Sequence, residues 1–193
     1  MNVNVSWLTR RAVMLLDEDL AEISEAEVFG DMGMELGRLV DDLVAEGAAK
    51  TMREADSGDI DETRSLCGDH RVTASGTQLE LKVPDDFLRL VEFRMSDWSR
   101  GLTDWREPQA VMHGYSLPGL RLEHRPDGRY LIAEGTRPGA TVVSAQYLPV
   151  PQVKDDGRDR TVWIPRSLVN RTARAIATMA REIITTLFDH ISS

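Results

Sequence analysis

The stretch Leu120-Arg121-Leu122-Glu123-His124-Arg125-Pro126-Asp127-Gly128-Arg129-Tyr130-Leu131-Ile132-Ala133-Glu134 decides the β part of the fold. Two runs of strand-forming residues flank Pro-Asp-Gly, which supplies a preset dihedral, a side-chain-to-backbone hydrogen bond and a permissive glycine. A hairpin is predicted. Upstream, Val72 and Ala74 lead into Ser75-Gly76, after which Leu79, Leu81 and Val83 alternate with Gln78, Glu80 and Lys82, predicting a second hairpin. Pro84-Asp85-Asp86-Phe87 then breaks the run and can start one helical turn. In the next segment Leu88, Leu90, Glu92 and Arg94 alternate with Arg89, Val91, Phe93 and Met95, so both faces carry apolar residues, as in a strand held between layers. Downstream, Thr141 to Tyr147 predicts a further strand ending at Leu148-Pro149-Val150-Pro151, and the polar residues 154–160 read as a link.

Helical periods flank this β region. Ser6 is a candidate N-cap for a short helix with Leu8, Ala12, Leu15 and Leu16 on one face, ended by Asp17-Glu18-Asp19. Ser24-Glu25-Ala26-Glu27 is a capping box, and apolar residues from Val28 to Met52 keep three-and-four spacing, predicting one long helix to about Glu54. Gly30, Gly33, Gly37 and Gly47 weaken that helix by about 1 kcal/mol each relative to alanine, which points to close helix approach or a bend. Residues 55–69 carry turn chemistry and read as an acidic loop. Pro165 suits a first helical turn, and Leu168 or Val169, Ala173, Ile176, Met179, Ala180, Ile183, Leu187 and Ile191 form a stripe in a last helix. The expected fold is α+β: an amphipathic bundle of N- and C-terminal helices with an inserted antiparallel β region. The expected parts are residues 1–69, helical with the acidic loop; 70–150, the β insertion; and 151–193, a linker and C-terminal helix packed on the N-terminal helices.

The 193 residues are 41% hydrophobic and 28% charged, too apolar for wholesale disorder. No apolar run approaches the roughly 18 to 20 residues of a membrane span, and no secretory signal is visible, so a cytosolic site of synthesis is expected. The single cysteine, Cys67, excludes an internal disulfide and a paired-thiol metal site. Of the bases, 20 are arginine and 3 lysine, a choice that suits planar multi-donor contacts or reflects a GC-rich genome. Residues 1–70 hold 17 acids and 6 bases, whereas residues 71–193 hold 15 acids and 17 bases. An acidic N-terminal part argues against wrapping on nucleic acid, where a basic patch supplies most of the affinity.

Candidate chemistry is sparse. His70, His113, His124 and His190 lie far apart, none at metal-ligand spacing. Asp56, Asp59, Asp61 and Glu62 could crowd round a hard cation, but the calcium loop's alternating acids with a central glycine are absent, and a solvated loop explains them too. No phosphate-cradling glycine loop follows a strand, and no serine sits in a nucleophile elbow. The expectation is no catalytic, metal or cofactor site. What stands out is Trp98 and Trp105, with Tyr115 nearby and Arg94, Arg100 and Arg106 interleaved. Such residues are enriched at protein interfaces; the alternative is that the tryptophans fill the domain's own core.

Two phrases carry a resemblance: Val83-Pro84-Asp85-Asp86-Phe87-Leu88-Arg89-Leu90-Val91-Glu92-Phe93-Arg94-Met95-Ser96-Asp97-Trp98, and Tyr147-Leu148-Pro149-Val150-Pro151 followed by Ile164-Pro165 and a terminal helix. In this layout, which covers most of the chain, the sequence resembles virion head-to-tail connector, or adaptor, proteins of tailed bacteriophages, particularly small ones from phages of gut bacteria. It departs from them at Arg166, where an acidic residue is frequent, and in its acidic loop. The resemblance implies a non-enzymatic virion structural subunit without cofactors, forming a homo-oligomeric ring of twelve copies between portal protein and tail proteins. DNA would pass through without sequence-specific binding, and no membrane would be involved. On that reading Asp41, Asp42 and Glu46 are candidates to face the channel, their charge keeping DNA mobile; alternatively they solvate the outer face of a helix. A nucleic-acid-binding regulator and a small enzyme remain the competing classes.

Overall fold

A computed structural model of the chain describes residues 1–20, 29–66, 70–72, 77–103 and 119–191. The described residues form two compact units, Met1–Glu62 with Pro151–Ser193, and Thr63–Val150. Both α-helices and antiparallel sheets are present, so the α+β class holds.

The first unit opens with strand β1 (Asn2–Asn4) and helix α1 (Val5–Leu20). The residue that caps α1 is Asn4 rather than Ser6: its Oδ1 accepts from the Trp7 amide at 3.3 Å, while the Ser6 hydroxyl donates to the same oxygen at 2.5 Å. Helix α1 is described to Leu20, one residue past the acidic stretch Asp17-Glu18-Asp19 expected to end it.

The long helix expected from Ser24 is divided in two within the described residues. Helix α2 (Phe29–Asp42) and helix α3 (Val44–Glu54) meet at Leu43, whose amide is shared between the Leu39 and Val40 carbonyls, both at 3.2 Å. A bifurcated amide tightens one turn, while the hydrophobic period runs through it unbroken. The capping box at Ser24 and Glu27 lies outside the described residues.

Helix α4 (Val169–Ile191) follows a short 3-10 turn, Arg166–Leu168, for which Pro165 is the N-cap, and it lies against α1 and α3. Leu8, Val44, Met52, Leu168, Ile176 and Ala180 are among the buried apolar residues of this unit. A Cβ added at Gly47 would come within 2.5 Å of the Ile176 side chain, so this glycine, read above as a sign of close approach, does permit one. The stripe of α4 is only partly core: Ile183 and Leu187, placed in it by periodicity, are 36% and 57% exposed.

The segment read as a polar link is in part a hairpin, strands β9 (Val153–Asp155) and β10 (Arg160–Trp163), with β1 pairing antiparallel along β10. Gly157 takes a φ of 81° at its turn, and the Asp156 Oδ1 accepts from the Arg158 and Asp159 amides at 3.0 and 2.8 Å.

The described residues of the second unit form two sheets. One runs β2-β8-β5, from β2 (Arg64–Ser65), β5 (Phe87–Met95) and β8 (Val142–Pro149). The other runs β3-β4-β7-β6, from β3 (His70–Val72), β4 (Gln78–Lys82), β6 (Gly119–Arg125) and β7 (Gly128–Glu134). The hairpin that opened the reading is present: Arg125 pairs with Gly128, leaving Pro126-Asp127 as the loop, with Gly128 at φ 142°. Leu79, Leu81 and Leu131 from the four-stranded sheet join Phe87, Leu90, Phe93 and Tyr147 from the other in one buried cluster. Residues 55–66, read as loop throughout, contain a 3-10 turn at Ser57–Asp59 and the short strand β2.

Candidate functional site

Within the second unit, residues 83–98 of the first phrase meet the Tyr147-Leu148-Pro149-Val150 part of the second. The Phe87 amide donates to the Pro84 carbonyl at 3.1 Å, closing a turn rather than starting a helix. Arg129 holds that turn from outside, donating to the carbonyls of Phe87 at 3.1 Å, Pro84 at 3.2 Å and Asp85 at 2.9 Å, with its guanidinium 5.8 Å from the Phe87 ring centre. Asp86 accepts from Arg64 at 2.8 Å and from the Tyr147 hydroxyl at 3.1 Å. Phe87 stacks on Tyr147 with centroids 5.7 Å apart, and the Val150 amide donates to the Asp86 carbonyl at 2.6 Å. Burial, and then the hydrogen bond to Asp86, push the Tyr147 phenol upward, so it stays protonated and donating. This cluster ties the start of β5 to the end of β8. Its two arginines were not singled out from sequence, because nothing in their immediate neighbours marks a guanidinium that caps a distant turn.

The aromatic and arginine candidates divide. Trp98 is 3% exposed and meets Phe93 edge-on at 5.7 Å, so the ring proposed for an interface belongs to the unit's own core. Among the described residues its Nε1 has no hydrogen-bond partner. Arg94 and Arg100 are exposed. Trp105, Arg106 and Tyr115 lie outside the described residues.

The acids named from sequence serve different ends. Asp41 is tied down within its unit, accepting from the Thr9 hydroxyl at 3.1 Å and pairing with Arg160. Asp42 and Glu46 are exposed. In the acidic loop, Asp61 accepts from the Ser167 amide at 3.1 and 3.2 Å and from its hydroxyl at 2.8 Å, capping the turn that precedes α4. Those bonds, the amide's first, hold its carboxyl below the usual range. Among the described residues no three metal-ligating side chains converge.

One charged network was not anticipated. On the face of the four-stranded sheet that carries Glu80, Glu123 and Glu134, Arg125 grips Glu80 through two bonds of 3.0 and 2.9 Å and reaches Glu123 at 2.7 Å. Arg121 joins Glu123 at 2.6 Å to Glu134 at 2.9 Å. Arg125 also lies over the Tyr130 ring at 4.6 Å. The arginine bonds hold the Glu80 and Glu123 carboxyls below their ordinary value. Alternation along β6 and β4 contains the signal, but cross-strand register is needed to pair the signs. Chemically the network is a ladder of two guanidiniums among three carboxylates, with both guanidiniums already spent on those carboxylates.

The chain matches no family model, no curated protein and no solved structure. No helix of the described residues is long and apolar enough to cross a membrane.

Proposed function

We propose that this chain is a non-enzymatic virion structural protein, a head-to-tail connector or adaptor subunit of a tailed bacteriophage. Copies assemble into a ring, twelve in number, between portal and tail, and DNA passes through without sequence-specific binding. The observation that carries the reading is the layout: helices from both ends of the chain share one compact unit, and the β strands of residues 63–150 form a second unit inserted between Glu62 and Pro151. In this reading α1, α3 and α4 act as the bundle that builds the ring wall. Arg94, Arg100, Trp105, Arg106 and Tyr115 serve contacts to neighbouring subunits or to portal and tail proteins. Asp42 and Glu46 are the acids left for the channel, since Asp41 is already engaged by Thr9 and Arg160.

The test is electron microscopy and light scattering on the purified chain, with a duplex-DNA titration at physiological salt. Rings with a central opening and weak DNA binding are expected. A protein that stays monomeric at every concentration sinks the reading, and tight, salt-sensitive binding to duplex DNA transfers it to a nucleic-acid-binding regulator.

A further inference from the structure

We infer that two copies of this chain pair through the outer edge of β6, antiparallel about Leu122, so that the four-stranded sheet continues from one copy into the other. The pairing stands apart from the ring reading: a two-fold contact is used up once two copies meet, so it makes a dimer of the free chain.

Among the described residues β6 is the last strand of its sheet, with β7 on one side of it only. Register tells which backbone groups look outward. The Val83 amide donates to the Arg129 carbonyl at 3.0 Å, so Arg129 turns its backbone towards β4, and its neighbours Gly128 and Tyr130, with Ile132 and Glu134, turn theirs towards β6. Their partners there are Arg125, Glu123, Arg121 and Gly119. Leu120, Leu122 and His124 therefore aim their amides and carbonyls out of the sheet, where no described residue meets them. Such a row is a template for one more strand.

The side chains name the occupant. An edge carrying one sign of charge repels a copy of itself, whereas β6 reads Arg121, Leu122, Glu123. Turned about Leu122, the strand meets itself with Leu122 against Leu122 and each Arg121 opposite the other copy's Glu123, in the closely spaced positions between hydrogen-bonded pairs. Gly119 then faces Arg125 and Leu120 faces His124, so no like charges stand opposite. Sliding one copy by two residues, the smallest step that keeps the outward groups paired, sets Arg121 against Arg121 or Glu123 against Glu123. Both side chains belong to the ladder yet stay 48% and 32% exposed. Arg121 uses Nε and Nη1 within its own copy, and Nη2 is left to reach the second one. On the other face Leu122, only partly buried against the core cluster, gains cover from its counterpart.

Cross-linking on the full-length chain tests the register. In a Cys67→Ser background, Leu122→Cys puts its thiol beside the two-fold axis, where hydrogen-bonded partners hold their Cα atoms about 5.5 Å apart, within disulfide reach. Mild oxidation should convert this variant to a covalent dimer, while His124→Cys, which faces Leu120 of the other copy, should stay a single chain on a denaturing gel. In sedimentation across a concentration series a dimer should appear in the parent. Arg121→Glu should weaken it about tenfold, since the two-fold axis counts the like-charge contact twice, and adding Glu123→Arg should recover it. Melting temperature and circular dichroism are the folding controls. No cross-link from Leu122→Cys, or an equal yield from His124→Cys, overturns the pairing and leaves the ring reading standing. A parent that is monomeric at every concentration removes both.

Discussion

Gly47 and Gly37 are the same residue type under opposite constraints. At Gly37 an added Cβ meets nothing within 4 Å, so Gly37→Ala should stabilise the protein by roughly 0.5–1 kcal/mol through helix propensity alone. At Gly47 it would strike Ile176, a fully buried β-branched side chain with little rotamer freedom, and the cost of overpacking, about 1–3 kcal/mol, exceeds that gain. Thermal melts of the two variants should move in opposite directions; parallel shifts would mean that α3 and α4 part easily. Thr172 offers a second residue-scale test. Its Oγ1 is buried without a hydrogen-bond partner among the described residues, so Thr172→Val, which keeps the shape and deletes the hydroxyl, should raise stability by about 1 kcal/mol in denaturant melts. A loss instead would reveal a bound partner for that oxygen.

Among the elements, the charged ladder of the four-stranded sheet predicts a pH response. The Glu80 and Glu123 carboxyls lie below the ordinary 4.5, so their contribution is fully present above that value and drains away as pH falls through the folded-state titration. Unfolding midpoints should therefore hold level from neutrality to about pH 5 and drop below it. Glu80→Gln should lower the neutral plateau and flatten the acid limb, and an unchanged acid slope would remove the ladder as its cause. The hairpin holding this ladder was legible because Pro126-Asp127-Gly128 and the alternation around it are local signals. Strands β1, β9 and β10 were not, since Asn2–Asn4 acquires its structure only by pairing with Thr161–Trp163 at the other end of the chain. The break at Leu43 left no mark on the hydrophobic period. Exposure of Ile183 and Leu187 is a tertiary fact: periodicity says which face a residue shares, not where that face runs out of cover. For the same reason Trp98 could be marked as notable but not assigned to core or interface until Phe93 was seen beside it.

For the whole molecule, the division into two units predicts that residues 63–150 can be excised. Joining Glu62 to Pro151 through a few glycines should leave a helical protein that melts cooperatively; a molten product would show that the helices need the β unit to hold their fold. The neck of that unit has a further consequence in the time domain. Arg64 pairs with Tyr147 across β2 and β8, so once the β unit forms, its two ends are already held side by side. Without that clasp, α3 could meet α4 only by closing an open loop of residues 63–150, at a chain-entropy cost of about 4 kcal/mol. With it, the intervening chain behaves in folding as a short tether, and a contact distant in sequence becomes kinetically local.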